Sequence, residues 1–198
     1  ELDIFKNSSP ELFRKTYNIG TDRPIITIAG RLDKGKNFEL AVEAISIIKK
    51  QIPEILLVVI GDGTVRKKVE SLVKKLGLQK NVILTGFAPK EIMASAHHAA
   101  KISLMLSVVD NLPTVAIEAI ACGKPMIALN DLSVKLIVFD NVNGLLVKPA
   151  ADGVAQAIIH LLNNPRKLKE FGQESSRIAE KFSIESYVNK LEILYKEL

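Results

Sequence analysis

The chain has 198 residues, of which 47% are hydrophobic and 25% are charged, a globular composition that excludes collagen-like and disordered classes. Lys and Arg exceed Asp and Glu by 27 to 22, and the net charge of +5 favours an anionic partner. Only 5% of residues are aromatic and there is no Trp, which argues against base stacking on single-stranded nucleic acid. Cys122 is the single cysteine, so an internal disulfide is excluded and a reducing, cytoplasmic location is predicted.

Six short apolar runs alternate with segments of helical periodicity. Continuous apolar runs are typical of strands that are buried on both faces. The predicted strands cover residues 25–29, 55–60, 82–84, 102–106, 126–129 and 145–147. The alternation predicts an α/β fold with a Rossmann-like, doubly wound, mostly parallel sheet of about six strands. We expect residues 1–198 to form one such domain.

The predicted helices fall between the strands and after the last one. Apolar stripes indicate helices over 41–48 and 65–76, and His97 and His98 lie on a further predicted helix. Pro113 and Gly123 bracket a helix over 113–121. After the last strand, residues 151–162, 165–181 and 184–198 all indicate additional C-terminal helices.

Turn-forming and charged residues follow the predicted strands in chain order. Gly30 and Arg31 follow the first strand, Gly61 the second, Phe87 the third and Asp110 the fourth. In a parallel sheet these turns share one edge, where open α/β sheets bind ligands. This spacing predicts the binding face of the protein.

The common phosphate-binding and metal–diphosphate motifs are absent from the sequence. There is no G-x-G-x-x-G after the first strand, no G-x-x-x-x-G-K-[ST] and no D-x-D. A bound diphosphate would therefore be neutralised by Arg, Lys, backbone N–H groups and a helix N-terminus.

Five motifs in order resemble the C-terminal half of a family 4 GT-B glycosyltransferase, the retaining group 1 type. They read G-R-L-D-K-G-K-N at 30–37, V-V-I-G-D-G-T-V-R at 58–66, V-I-L-T-G-F-A-P at 82–89, D-N-L-P-T-V-A-I-E-A-I-A-C-G-K-P at 110–125 and N-V-N-G-L-L-V at 141–147. The resemblance implies a nucleotide-diphosphate sugar as donor substrate, with no metal and no other cofactor. It implies transfer of a hexose to an acceptor held by an N-terminal domain that this chain lacks. The isolated chain is then expected to be inactive or weakly active.

The resemblance also assigns the residues with catalytic roles. Arg31 and Lys36 match the pair that grips the donor diphosphate, with Lys34 open as an alternative to Lys36. Asp110 matches the carboxylate that meets hydroxyls of the transferred sugar, although relatives carry Glu there. Glu118 matches the carboxylate that binds the ribose hydroxyls.

A further set of residues matches the family's donor-binding loops. Its members are Gly30, Gly61, Phe87, Ala88, Asn111, Leu112, Pro113 and Thr114. Backbone groups of Phe87 and Ala88 would face the nucleobase, and Leu112 and Thr114 would donate where Pro113 has no N–H. For Gly61, close approach to the donor and a tight turn are equally open. Residues 131–136 stand where many relatives have a Gly-Gly followed by Pro-Glu.

Several alternatives remain open at this level. A noncatalytic module that binds a nucleotide or sugar phosphate would keep Arg31, Lys36 and Glu118 without needing Asp110. Nucleic-acid binding depends on net charge alone and is not expected. A lipid or saccharide acceptor at the inner face of a membrane is compatible with the family. Arg66 is expected on a solvated helix face, and Cys122 is expected to be buried and inert.

Overall fold

The computed structural model describes residues 2–110 and 113–196, and its centre is a six-stranded parallel sheet. The strands are β1 (Ile25–Ala29), β2 (Leu56–Ile60), β3 (Val82–Gly86), β4 (Ile102–Met105), β5 (Met126–Leu129) and β6 (Gly144–Val147). Their order across the sheet is β3-β2-β1-β4-β5-β6, and every described pair is parallel. The predicted Rossmann-like sheet is confirmed.

Helices cover both faces of this sheet. They are α1 (Asp3–Lys6), α2 (Glu11–Thr16), α3 (Phe38–Ile48), α4 (Arg66–Lys75), α5 (Lys90–Ala99), α6 (Thr114–Ala121), α7 (Ala151–Leu162), α8 (Pro165–Ala179) and α9 (Ile184–Lys196). Two 3₁₀ turns cover Leu132–Val134 and Glu180–Phe182. Among the helices in the described ranges, none is long and apolar enough to cross a membrane.

The apolar runs become strands because side chains on each face have a helix layer to pack against. All five residues of β1 and all five of β2 are buried. Successive residues point to opposite faces: Ile26 and Ile28 pack with α3 and α7, whereas Ile25 packs with α2 and α5. This two-sided burial explains why the strands lack an alternating polar pattern.

The observed bounds differ from the predicted ones by a few residues. Strand β2 begins at Leu56 rather than at residue 55, because the Ile55 N–H bonds to the Ile52 carbonyl. Pro113 caps helix α6 instead of forming its first residue. The predicted helix over 165–181 ends at Ala179 and tightens into the 3₁₀ turn.

Two short N-terminal helices were not predicted. Helices α1 and α2 have four and six residues, too few to show a helical period. Phe5 of α1 and Phe13 of α2 are nonetheless buried against α5 and its neighbours. The Phe5 carbonyl accepts hydrogen bonds from His98 Nε2 at 2.6 Å and from the Cys122 thiol at 3.1 Å. The N-terminal segment is therefore fixed onto the domain.

Candidate functional site

The carboxyl ends of the strands form an edge, called here the carboxyl edge, that begins with closely packed glycines. The Gly61 N–H donates to the Gly86 carbonyl at 2.8 Å, and the Gly30 N–H donates to the Ile60 carbonyl at 3.0 Å. Gly61 has a φ of +129°, and a Cβ placed on it would lie 2.0 Å from the Gly30 carbonyl oxygen. The close approach seen at Gly61 is thus to Gly30. Its predicted role beside a donor stays a prediction.

The turn between β1 and α3 packs directly against the segment that follows β4. Gly35 has a φ of +82°, and a Cβ there would lie 2.6 Å from Val109 Cγ1. The Gly35 carbonyl accepts the Val108 N–H at 3.1 Å, and Asn37 Nδ2 donates to the Leu106 carbonyl at 2.8 Å. These contacts hold the start of α3 against the loop that carries Asp110.

Lys36 and Asp110 form an ion pair as a result. Lys36 Nζ donates to Asp110 Oδ1, and the two side chains are only 19% and 20% exposed. The other Asp110 oxygen is buried and has no hydrogen-bond partner in the described part of the chain. Lys34, the alternative to Lys36, is exposed and takes no part in this pair. Two of the three predicted catalytic residues are therefore in contact, 74 residues apart in sequence.

Arg31 follows β1 at the same edge and is much more open than Lys36. Its side chain is 75% exposed, and its Nε lies 2.5 Å from Asp33 Oδ2. Asp33 also accepts the Thr64 hydroxyl hydrogen bond at 2.9 Å, and hydrogen bonds from Thr64 hold the pKa of Asp33 below its usual range. Asp33 therefore links the loops after β1 and β2 and leaves most of the Arg31 guanidinium facing solvent.

Helix α6 begins beside Asp110. Pro113 is buried at its N-cap, and its carbonyl accepts a hydrogen bond from the Ala116 N–H at 2.9 Å, while Thr114 is exposed. The predicted donor residues Asn111 and Leu112 lie outside the described residues. The first turn of α6 places partial positive charge at the carboxyl edge.

A cavity of about 600 Å³ opens beside α6 and is lined by Thr114 and Glu118. Lys90 and Phe5 also line it. Lys90 is two residues beyond Ala88, so the cavity reaches the loop that contains the predicted base-binding residues. Phe87 is exposed and Ala88 is half-buried in that loop. A cavity of this size is in the ordinary range for a small-molecule ligand.

Arg66 corrects the expectation of a solvated surface charge. Its guanidinium donates to Asp62 at 2.9 Å and to Glu70 at 2.8 Å, and its side chain is half-buried. These bonds, led by the one to Glu70, raise the pKa of Arg66. A Cβ on Gly86 would lie 3.4 Å from Arg66 Nη1, so this network borders the loop after β3. The spacing of Asp62, Arg66 and Glu70 by four residues could have indicated it from sequence.

The loop that replaces the family's glycines is a capped turn. Asp131 Oδ1 accepts hydrogen bonds from the Ser133 N–H at 3.0 Å and the Ser133 hydroxyl at 2.9 Å, which lower the pKa of Asp131. Leu132 is 81% exposed just beyond this cap, and Leu136 is also exposed. The loop therefore presents leucines to solvent at the carboxyl edge.

The described ranges contain no group of three or more His, Cys, Asp or Glu side chains arranged to hold a metal ion. The charged residues at the carboxyl edge instead form cation–carboxylate pairs, as between Lys36 and Asp110.

Comparison with known protein families identifies the class of this domain. A model of the family described as "Glycosyl transferases group 1" matches residues 9–177. The chain belongs to this family, and its Rossmann-like fold is that of GT-B enzymes.

Individual relatives agree with this assignment. The chain is 26% identical over 202 residues to alpha-D-kanosaminyltransferase of Streptomyces kanamyceticus, covering 99% of this chain and 52% of the relative. It is 27% identical over 195 residues to the putative glycosyltransferase EpsD of Bacillus subtilis strain 168, covering 96% and 51%. The chain thus spans about half the length of these curated relatives.

Solved structures show the same half-length match. Anabaena Alr3699/HepE in complex with UDP and glucose superposes with a TM-score of 0.87 at 19% identity, covering 100% of this chain and 55% of that one. The C-terminal domain of the group 1 glycosyl transferase LpcC from Francisella tularensis has a TM-score of 0.81 at 26% identity, covering 93% and 98%. A domain of this extent has therefore been crystallised on its own.

Proposed function

We propose that this chain is the donor-binding half of a glycosyltransferase that transfers a hexose from a nucleotide-diphosphate sugar, with retention of configuration and without a metal ion. The observation that carries the proposal is the contact between Lys36 and Asp110 at the carboxyl edge, just before α6 begins. A cation for a phosphate and a carboxylate for sugar hydroxyls are thereby held in one place.

The donor diphosphate is assigned to Lys36, Arg31 and the first turn of α6. Arg31 is open to solvent, so a phosphate can reach its guanidinium without displacing protein packing. Lys36 supplies a localised charge, and the helix supplies backbone donors. Together they stabilise the negative charge that develops as the nucleoside diphosphate leaves, because they are already oriented towards it.

Asp110 is assigned to the sugar. One carboxylate oxygen bonds Lys36, and the other has no hydrogen-bond partner among residues 2–110 and 113–196. A buried carboxylate oxygen without a donor is costly, and a sugar hydroxyl would satisfy it. The shorter Asp side chain therefore still suits a hydroxyl contact, with Lys36 fixing its position.

The nucleoside is assigned to the cavity beside Glu118. Glu118 would accept hydrogen bonds from the ribose hydroxyls, and the loop of Phe87 and Ala88 would face the base. Solved neighbours hold UDP or UDP-glucose. A uridine nucleotide is therefore the first donor to test.

The acceptor is assigned to an N-terminal domain outside residues 1–198. The half-length match to relatives supports this division. We expect this chain to bind the donor with little or no transfer, and transfer to require the second domain. Lipid and saccharide acceptors are both compatible with the proposal.

Calorimetric titration with UDP tests the donor site. A charge-assisted contact contributes about 1.5–3 kcal/mol, so Arg31→Ala should weaken UDP binding by roughly 10- to 100-fold. Arg177→Ala is the matched control, because Arg177 is likewise an exposed arginine paired with a carboxylate, that of Glu174, and lies near the end of α8. Equal UDP affinity in wild type and Arg31→Ala would contradict the assignment.

Transfer requires a separate experiment on a protein that includes an N-terminal GT-B domain. We expect turnover that persists in the presence of EDTA and a product whose anomeric configuration, read by NMR, matches the donor. Asp110→Ala should reduce turnover by more than it reduces UDP affinity. UDP binding without any transfer would instead favour a noncatalytic nucleotide-binding module.

A further inference from the structure

A second cavity of about 600 Å³ lies at the opposite edge of the sheet, where the strands begin. This edge is called here the amino edge. The cavity lies between α2 and the start of α8. Residues 98–101, before β4, and residues 123–125, before β5, also line it. The four residues of β4 span about 13 Å, so this cavity is separated from the carboxyl edge by the length of the strands.

Most of the charged residues that line the cavity are cationic. Arg14, Lys101, Lys124 and Lys169 line it, against the single carboxylate of Glu11. Within the described ranges, none of the four cations forms an ion pair with a carboxylate. The charged residues that line this concave space therefore carry an excess of three positive charges.

Lys124 is half-buried in the wall of the cavity. Lys124 Nζ donates to the His98 carbonyl at 3.0 Å, and burial lowers the pKa of Lys124. A partly desolvated ammonium whose hydrogen-bond partner is a neutral carbonyl remains electrostatically uncompensated. An anion in the cavity would supply the missing charge.

Arg14 is anchored so that its charge stays at the cavity. Its guanidinium donates to the Gly20 carbonyl, and to the Ala99 carbonyl at 3.5 Å. These acceptors are neutral, so they fix the position of the guanidinium without neutralising it. The first turn of α8, which includes Pro165 and Leu168, forms another part of the wall and adds the partial positive charge of a 15-residue helix.

We propose that the amino-edge cavity binds a phosphate-bearing anion, at a site separate from the donor site. Its volume is sufficient for a small phosphorylated molecule. The same phosphate chemistry is offered by a soluble phosphate ester and by the headgroup of an anionic lipid. The proposal depends on the charges and geometry of the amino edge and does not require the donor assignment to be correct.

The first test is an NMR titration of the ¹⁵N-labelled chain with sodium pyrophosphate, with sodium chloride at equal ionic strength as the reference. The chain is suited to this because a domain of the same extent from a relative crystallises alone. We expect saturable shifts of the Lys101, Gly123 and Lys124 amides. Shifts confined to residues around Arg31 and Lys36, or shifts equal to those with chloride, would overturn the proposal.

The second test uses variants. Lys101→Gln combined with Lys124→Gln should weaken pyrophosphate binding at the amino edge by at least about 10-fold. Lys74→Gln is the matched control, because Lys74 is an exposed helix lysine outside this cavity. Lys36→Ala should leave the amino-edge shifts unchanged, which separates failure here from failure of the donor site. Unchanged affinity in the double variant would contradict the proposal, and the wild-type shift map stands even if that variant misfolds.

A vesicle experiment distinguishes the two sources of phosphate. Sedimentation is measured with phosphatidylcholine vesicles alone and with phosphatidylglycerol added in a roughly four-to-one ratio. Anion-dependent sedimentation that the double variant loses indicates a lipid headgroup. Pyrophosphate binding without sedimentation indicates a soluble phosphate ester. If the double variant retains both pyrophosphate binding and sedimentation, the proposed site is contradicted.

Discussion

The cations at the two edges of the sheet differ in their partners. At the carboxyl edge, Arg31, Lys36 and Arg66 each contact a carboxylate. At the amino edge, Arg14 and Lys124 donate to neutral carbonyl groups. The comparison shows that net charge alone, which is +5, does not locate an anion site.

The pairing has different consequences at the two edges. A paired lysine such as Lys36 is held in place before any ligand arrives, and the ligand must share it with Asp110. An unpaired lysine such as Lys124 offers its full charge but lowers stability in the empty state, because its ammonium is partly desolvated. The carboxyl edge therefore holds its cations in a fixed orientation, whereas the amino edge attracts an anion with its unpaired charge.

The largest expected effect comes from breaking the carboxyl-edge pair. Lys36→Met leaves the half-buried Asp110 carboxylate without its cation and should lower the free energy of unfolding by about 1–3 kcal/mol. Urea denaturation at pH 7 measures this change. The double variant Lys36→Met/Asp110→Leu should recover much of the loss. Equal stability of Lys36→Met and wild type would mean that the pair does not organise this edge.

Acid should lower the stability of the fold through a buried histidine near the amino edge. His97 is fully buried, with Nδ1 at 3.2 Å from Thr27 Oγ1, and burial lowers its pKa to about 3, assisted by the charges of Lys124 and His98. Below pH 6.5 the unfolded chain binds a proton that the folded chain excludes. Stability that is present above pH 6.5 is therefore lost at about 1.4 kcal/mol per pH unit, or about 2 kcal/mol by pH 5.

Denaturation curves between pH 7 and 5 measure this slope. His97→Gln should flatten it, and His160→Gln should not, because His160 is exposed on α7. A slope that is the same in wild type and His97→Gln would contradict the assignment to His97.

The smallest effect is expected for Lys124→Met. The substitution loses the hydrogen bond to the His98 carbonyl but removes the partly desolvated ammonium, so the free energy of unfolding should change by less than about 1 kcal/mol. Denaturation under the same conditions as for Lys36→Met makes the comparison direct. A loss as large as that of Lys36→Met would show that the two edges do not differ in the way proposed.

Much of the fold could be predicted from periodicity because each strand lies between two helix layers. Runs such as Leu56–Ile60 are continuously apolar for that reason. Helices α1 and α2 were missed because they are shorter than two helical turns and are stabilised by contacts of Phe5 and Phe13 with distant elements. Periodicity within a segment contains no information about such contacts.

The sequence predicted the edge of the sheet on which the candidate site lies, but it did not predict the contacts between the site residues. The order of the turns placed Arg31, Gly61 and Asp110 at the carboxyl edge. The choice of Lys36 over Lys34 as the partner of Asp110 depends on Gly35 packing against Val109. The two lysines are chemically identical in a lysine-rich loop, so only the path of the backbone separates them.

The sequence by itself determined the α/β class, the edge of the sheet at which the turn residues meet and the family resemblance, because these follow from local hydrophobic patterns and short motifs. The tertiary structure alone decided the pairing of charges that lie far apart in the chain. Pairing depends on distances of a few ångströms between residues that are far apart in the chain, such as Lys36 and Asp110. The amino-edge cavity arises in the same way, since Arg14, Lys101, Lys124 and Lys169 come from four separate segments that meet only when the sheet is formed.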